Sequence, residues 1–138
     1  MDDCIFCKIA KGDIPCFKVY EDDDYLAFLD LSNFTEGHTL VIPKKHYRFV
    51  WDVDDIEGYA NIVKKISNHY RNNLGFSYVD TLTFGRMIPH AHVHLVPHNS
   101  DCEDWEKALE RIGELQGDQT RRLSKETGEN IAKKFSLK

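Results

Sequence analysis

A chain of 138 residues with 41% apolar and 30% charged side chains is long enough for one compact domain with a real core, and too mixed for a disordered, repetitive or collagenous protein. Its 18 basic and 23 acidic side chains leave a formal charge of −5, so no overall field draws in a nucleic-acid backbone or an anionic membrane, and an anionic ligand must be held by a few local donors. No stretch reaches the roughly 20 apolar residues of a membrane span and the acidic start lacks a signal peptide's basic region, so the expected location is cytoplasmic, with the four cysteines reduced.

The first motif is C-x-x-C, Cys4 and Cys7, while Cys16 and Cys102 stand alone. FKVYED (17–22) and YLAFLDL (25–31) are β-branched and aromatic runs around an acidic turn, which predicts a hairpin. HTLVIP (38–43) reads as a third strand ended by Pro43. From Asp54 to about Asn72, Ile56, Ala60, Val63, Ile66 and Tyr70 recur at three- and four-residue steps, the pattern of an amphipathic helix with an acidic start. SYVDTLTF (77–84) alternates as a further strand, and GRMIP connects it to a histidine-rich strand, for about five strands in all. Residues 101–138 are polar and helix-prone, with Gly117 and Gly128 as expected breaks. The expectation is a single α+β domain over residues 1–138, with its core at 4–98 and a helical C-terminal extension from about 101.

MIPHAHVHLVPHN (87–99) carries His90, His92, His94 and His98. In an extended strand the first three share one face, while Ala91, Val93 and Leu95 share the other and face the core. The outer two of the three lie about 13 Å apart along a strand, too far to close on one ion whose ligands sit about 2 Å from it. Two neighbours could share a metal, which leaves one over. The spacing better suits chemistry, in which a neutral imidazole attacks, a neighbour orients it and another donates to developing charge. EGHTLVIPKKHY (36–47) adds His38 and His46, and His38 taken alone is an even choice between function and surface. His69 reads as a surface residue.

The ordered blocks CIFCKI, LAFLDLS, GHTLVIPKKH and PHAHVHLVP resemble the histidine triad superfamily of nucleotide hydrolases and transferases, over about residues 4–98. Its signature of His, apolar, His, apolar, His and two apolars is met by His90 through Val96. The resemblance implies the family's α+β fold and a homodimer. It makes His92 a nucleophile toward the α-phosphate of a nucleoside phosphoramidate or dinucleoside polyphosphate, through a nucleotidyl-histidine. The main-chain carbonyl of His90 and the side chain of His38 would orient the attacking ring, and His94 would donate to phosphoryl oxygens or the leaving group. By the same resemblance Asp30 falls where ribose hydroxyls bind, and Ile5, Phe6, Ile9, Phe28, Leu29 and Leu40 fall near the base. Cys4, Cys7, His46 and His90 would hold a structural zinc, an S2N2 set suited to tetrahedral coordination, with His98 in reserve as fourth ligand. Two departures stand out. Arg86 replaces the amide that relatives commonly carry after the glycine preceding the triad, and the usual Asn-x-Gly upstream is absent. Two further readings stay open: a zinc-stabilised nucleotide-binding or regulatory protein whose turnover is incidental, and a nucleotidyltransferase. In every reading the partner is a small nucleotide rather than a nucleic acid or a membrane.

Overall fold

The computed structural model describes residues 3–137. Helix α1 (Ile5–Lys11) is followed by strands β1 (Lys18–Glu21), β2 (Tyr25–Leu29) and β3 (Thr39–Pro43), helix α2 (Ile56–Asn72), strands β4 (Tyr78–Leu82) and β5 (Val93–His98), and helices α3 (Glu103–Gly117) and α4 (Lys125–Phe135). The strands form one antiparallel sheet in the order β1-β2-β3-β5-β4, the expected α+β arrangement. Among the described residues, no helix is long and apolar enough to cross a membrane.

Alternation decides which face each side chain serves. Tyr25, Ala27, Val41, Val93 and Leu95 pack with Tyr59, Ile66 and Tyr70 of α2 on one face. Leu26, Phe28, Leu40 and Ile42 pack with Phe6, Cys7 and Ile9 of α1 on the other. The acidic turn is held by Asp22, whose carboxylate accepts the Asp24 and Tyr25 amides, and α2 starts where Asp55 accepts the Gly58 amide.

Helix α1 is an element the sequence reading did not contain. Its seven residues are too few to be stable alone, and the group that caps it is the Cys4 thiol, 3.4 Å from the Cys7 amide, rather than an ordinary capping oxygen. Gly12 ends it at a φ of +87°, where a side chain would be strained. Burial of Phe6 and Ile9 contributes about 1.5–3 kcal/mol each, which outweighs the weak local preference.

The β3–β5 ladder begins at Val93 paired with Val41, so His90, Ala91 and His92 precede the strand instead of lying in it. The cause is Pro43, which has no N–H to give where the ladder would continue. The Ala91 amide donates instead to the Tyr47 carbonyl at 2.7 Å. Side-chain alternation nevertheless persists through this segment: Ala91 joins the α2-side core, while His90 and His92 lie against Phe6 of α1.

The chain divides into two compact units, one ending at Glu103 and the other beginning at Asp104. In the second, α3 ends at Gly117 as expected, but Gly128 lies inside α4 and breaks nothing. The Ser124 hydroxyl accepts the Thr127 amide at 3.2 Å and caps α4, offsetting the roughly 1 kcal/mol a mid-helix glycine costs.

Candidate active site and metal centre

Proton positions at the histidines follow from their partners. The His92 Nδ1–H donates to the His90 carbonyl at 2.6 Å, so Nε2 carries the lone pair. That carbonyl thus orients the ring, as the resemblance implied. The His92 carbonyl in turn accepts the Thr83 hydroxyl at 2.8 Å, and Phe6 stands edge-on to the ring with centroids 5.2 Å apart. With Nδ1 so engaged, the His92 Nε2 lone pair is placed to meet an electrophile.

His38 departs from expectation. It sits against His94 rather than His92, because β3 and β5 place Leu40 opposite His94 and bring the start of β3 beside that ring. The Phe34 amide donates to His38 Nδ1 at 3.0 Å, so His38 Nε2 carries the proton and donates to His94 Nδ1 at 2.8 Å. His94 therefore keeps its proton on Nε2, as a directed donor. Phe34 stacks on His38 with centroids 4.4 Å apart, and Phe84 meets His94 edge-on at 5.3 Å. Asp30, His38 and His94 could in outline also bind a cation. The Phe34 amide argues against it, because it leaves no lone pair on His38 Nε2.

Burial, reinforced by His38 and His92, holds the His94 imidazole down at about 4, with Asp30 pulling the other way. Burial likewise lowers His38 against the opposing pull of Asp30, so the pair is neutral near pH 7. Unfolded His94 takes up a proton as pH falls through about 6.5, whereas native His94 does so only near 4. Stability should therefore be fully present above about pH 6.5 and decline toward pH 4, by up to about 3 kcal/mol from this group. Urea unfolding of the wild type and His94→Asn across that window checks it, and the variant's pH dependence should be shallower.

His92 and His94 open onto a cavity of about 500 Å3. All six residues expected near the base, Ile5, Phe6, Ile9, Phe28, Leu29 and Leu40, line it, together with Asp30, His92 and His94. Asp30 accepts the Ser32 amide through Oδ1 at 2.9 Å and places Oδ2 3.7 Å from His38 Nε2, leaving lone pairs for a diol.

The metal centre is separate. His90 Nδ1 lies 3.3 Å from Cys4 Sγ and 3.4 Å from Cys7 Sγ, and His46 Nδ1 lies 3.2 Å from Cys7 Sγ. Tetrahedral zinc, with bonds of about 2.3 Å to sulfur and about 2.0–2.1 Å to nitrogen, sets neighbouring ligand atoms roughly 3.5 Å apart, so the set fits. His90 Nε2 donates to the Pro43 carbonyl at 2.8 Å, which aims the Nδ1 lone pair at the two sulfurs. Burial, helped by Cys4, raises the Cys7 thiol to about 11, so metal uptake must displace protons. Cys4, Cys7, His46 and His90 are thus positioned to hold a metal ion. Among the described residues all four cysteines are free of disulfides.

His98, held in reserve as a ligand, is placed elsewhere. Its Nε2 lies 2.7 Å from Asp80 and its ring stacks on Tyr78. Arg86 is exposed and makes no hydrogen bond or ion pair among the described residues. His69 is on the surface, with Asn73 donating to its Nδ1 at 2.8 Å. Phe34, Thr83 and Phe84 were not singled out from sequence. Two lie in loops whose path only the tertiary structure sets, and Thr83 follows directly on β4.

The HIT domain family model matches residues 11–101. Over 103 residues the chain is 44% identical to Protein hit of Bacillus subtilis, covering 70% of this chain and 71% of that protein. Over 105 residues it is 39% identical to the adenosine 5'-monophosphoramidase hnt1 of Schizosaccharomyces pombe, covering 68% and 73%. A crystal structure of a HIT family protein from Bacillus anthracis superposes with a TM-score of 0.75 at 33% identity, covering 96% of this chain and 94% of that one.

Proposed function

The chain belongs to the HIT domain family, and from that premise we propose that it is a nucleotide hydrolase attacking the α-phosphate of a nucleoside phosphoramidate or dinucleoside polyphosphate. The observation that carries this reading is the hydrogen bond from His92 Nδ1 to the His90 carbonyl, which leaves Nε2 unprotonated at a cavity shared with Asp30 and His94. The name of the fission-yeast relative supports a phosphoramidate.

In the first step His92 Nε2 forms a bond to the α-phosphorus as the bond to the leaving nitrogen or oxygen breaks, and a leaving amine takes its proton from solvent. Water then attacks phosphorus, the P–N bond to His92 breaks, and the nucleoside monophosphate and a proton are released. Splitting one displacement into two lowers the barrier of each. His94 Nε2–H donates to a phosphoryl oxygen and steadies its charge, with the donor already oriented by His38. Asp30 accepts from the ribose hydroxyls. The metal is zinc and its role is structural, tying α1 to the segments that carry His46 and His90. The protein is a cytoplasmic homodimer, a reading supported by the free thiols and by the open edge at β4, where Tyr78 is exposed.

Purified protein given adenosine 5'-phosphoramidate and a dinucleoside polyphosphate tests the proposal. Turnover of about 1 s⁻¹ or more is expected, whereas tight binding without turnover contradicts it. His38→Ala should lower kcat by about 10–100-fold with little change in KM, since it frees the His94 tautomer but leaves the nucleophile. Arg86→Gln should lower kcat/KM for the polyphosphate by about tenfold and spare the phosphoramidate, because only the former offers a charged leaving group to a guanidinium. Equal changes on both substrates contradict that selection.

A further inference from the structure

The metal centre and the nucleotide cavity share one stretch of chain. Cys4 and Cys7 offer their sulfurs to the metal, while the two residues between them, Ile5 and Phe6, line the cavity. Phe6 stands edge-on to two imidazoles, with centroids 5.9 Å from His90 and 5.2 Å from His92. His90 in turn presents Nδ1 to the sulfurs and its carbonyl to His92 Nδ1. A change at the two sulfurs is therefore felt at the His92 ring along two routes, through Phe6 and through His90.

Oxidation is such a change. The two sulfurs, with the His46 and His90 nitrogens, lie within 4.8 Å of one another. Both cysteines belong to the opening turn of α1, Cys4 as its cap and Cys7 three residues on, and side chains so spaced on a helix bring their Cβ atoms to about 5–6 Å. A disulfide then closes once that turn tightens, which shifts Ile5 and Phe6. Cys4, Cys7 and His90 are buried but His46 is only partly so, which leaves the His46 side open to a molecule as small as a hydroperoxide.

Resting on the structural-zinc and hydrolase readings, we propose that Cys4 and Cys7 are the site of a reversible disulfide formed by hydroperoxides, whose closure releases the metal and lowers nucleotide turnover. One thiolate attacks the O–O bond and becomes a sulfenic acid, and the other oxygen leaves, on protonation, as an alcohol or, from hydrogen peroxide, as water. The second thiolate attacks that sulfur, the S–O bond breaks, and hydroxide leaves as water on protonation. The two sulfurs together give up two electrons, and the hydroperoxide accepts them. Two imidazoles remain, too few for a closed tetrahedral site. Exchange with small thiols reopens the disulfide.

The test treats the zinc-loaded full chain with hydrogen peroxide and follows zinc release with a chromogenic chelator, the cysteines by non-reducing peptide mass mapping, and turnover of adenosine 5'-phosphoramidate. Zinc release and a Cys4–Cys7 disulfide should appear at the same rate. kcat/KM should fall by at least about tenfold, as a small displacement at the reacting centre can cost, and dithiothreitol with zinc should restore it. Cys16 and Cys102 are less buried and serve as internal references: zinc retained after both are oxidised overturns the switch. Zinc lost with Cys4 and Cys7 as sulfinic acids also overturns it, because thiols do not reverse that state. A disulfide with zinc loss but unchanged turnover overturns the coupling to the cavity. A reduced chain that takes up no zinc overturns the zinc reading and the switch together. No turnover from the reduced, zinc-loaded chain overturns the hydrolase reading alone, because zinc release and the disulfide are read without it.

Discussion

His92→Ala should reduce turnover to below about one per cent of wild type while AMP binding stays measurable, because the substitution removes the attacking nitrogen and little of the apolar cavity. The expected loss exceeds that of His38→Ala. His38 acts through the His94 tautomer, and removing it leaves an oriented nucleophile in place. Steady-state kinetics and calorimetry on folded variants, verified by circular dichroism, separate the two effects. A His92→Ala protein that keeps several per cent of its activity would mean that water attacks phosphorus directly and that the ring only positions it.

Cys4→Ser or Cys7→Ser should abolish binding of about one zinc per chain and lower Tm by about 10 °C or more, because a closed S2N2 site adds its binding free energy to folding. The penalty should be large since the site ties α1 to the segments that carry His46 and His90. Helix α1 has seven residues and takes its cap from the Cys4 thiol, and His90 lies before the β5 ladder begins. Metal analysis of protein purified without added zinc, with thermal melts before and after chelation, checks this. Loss of α1 packing should also loosen the cavity wall formed by Ile5, Phe6 and Ile9, so activity should fall with the metal. His98→Ala should leave zinc in place, because that ring is occupied by Asp80 and Tyr78.

The elements legible in the sequence were those with a strong period. Ile56 to Tyr70 read as a helix at 3.6 residues per turn, and the alternation of His90 to Leu95 assigned every side chain to its proper face even where the ladder itself is missing. Hidden features depended on local chemistry or on distant partners. Helix α1 lacks an ordinary capping residue and is too short to show a period. The delayed start of β5 follows from Pro43 on a neighbouring strand, a non-local effect of a missing N–H. His38 lies beside His94 rather than the expected His92, since only the register of β3 against β5 decides which imidazole it meets. Gly128 misled because a glycine inside a capped amphipathic helix costs only about 1 kcal/mol. Cys4, Cys7, His46 and His90, by contrast, converge as the resemblance implied, across sequence separations that no period could reveal.

The proposed two-step hydrolysis requires a covalent bond between His92 Nε2 and the α-phosphorus. Wild-type protein mixed with adenosine 5'-phosphoramidate, quenched on the millisecond scale under alkaline conditions that preserve phosphoimidazoles, and mapped by peptide mass spectrometry should carry one adenylyl group on His92, formed and consumed at rates no slower than kcat. Full turnover with no adduct on His92 at any time, or an adduct on another histidine that forms fast enough, would contradict it.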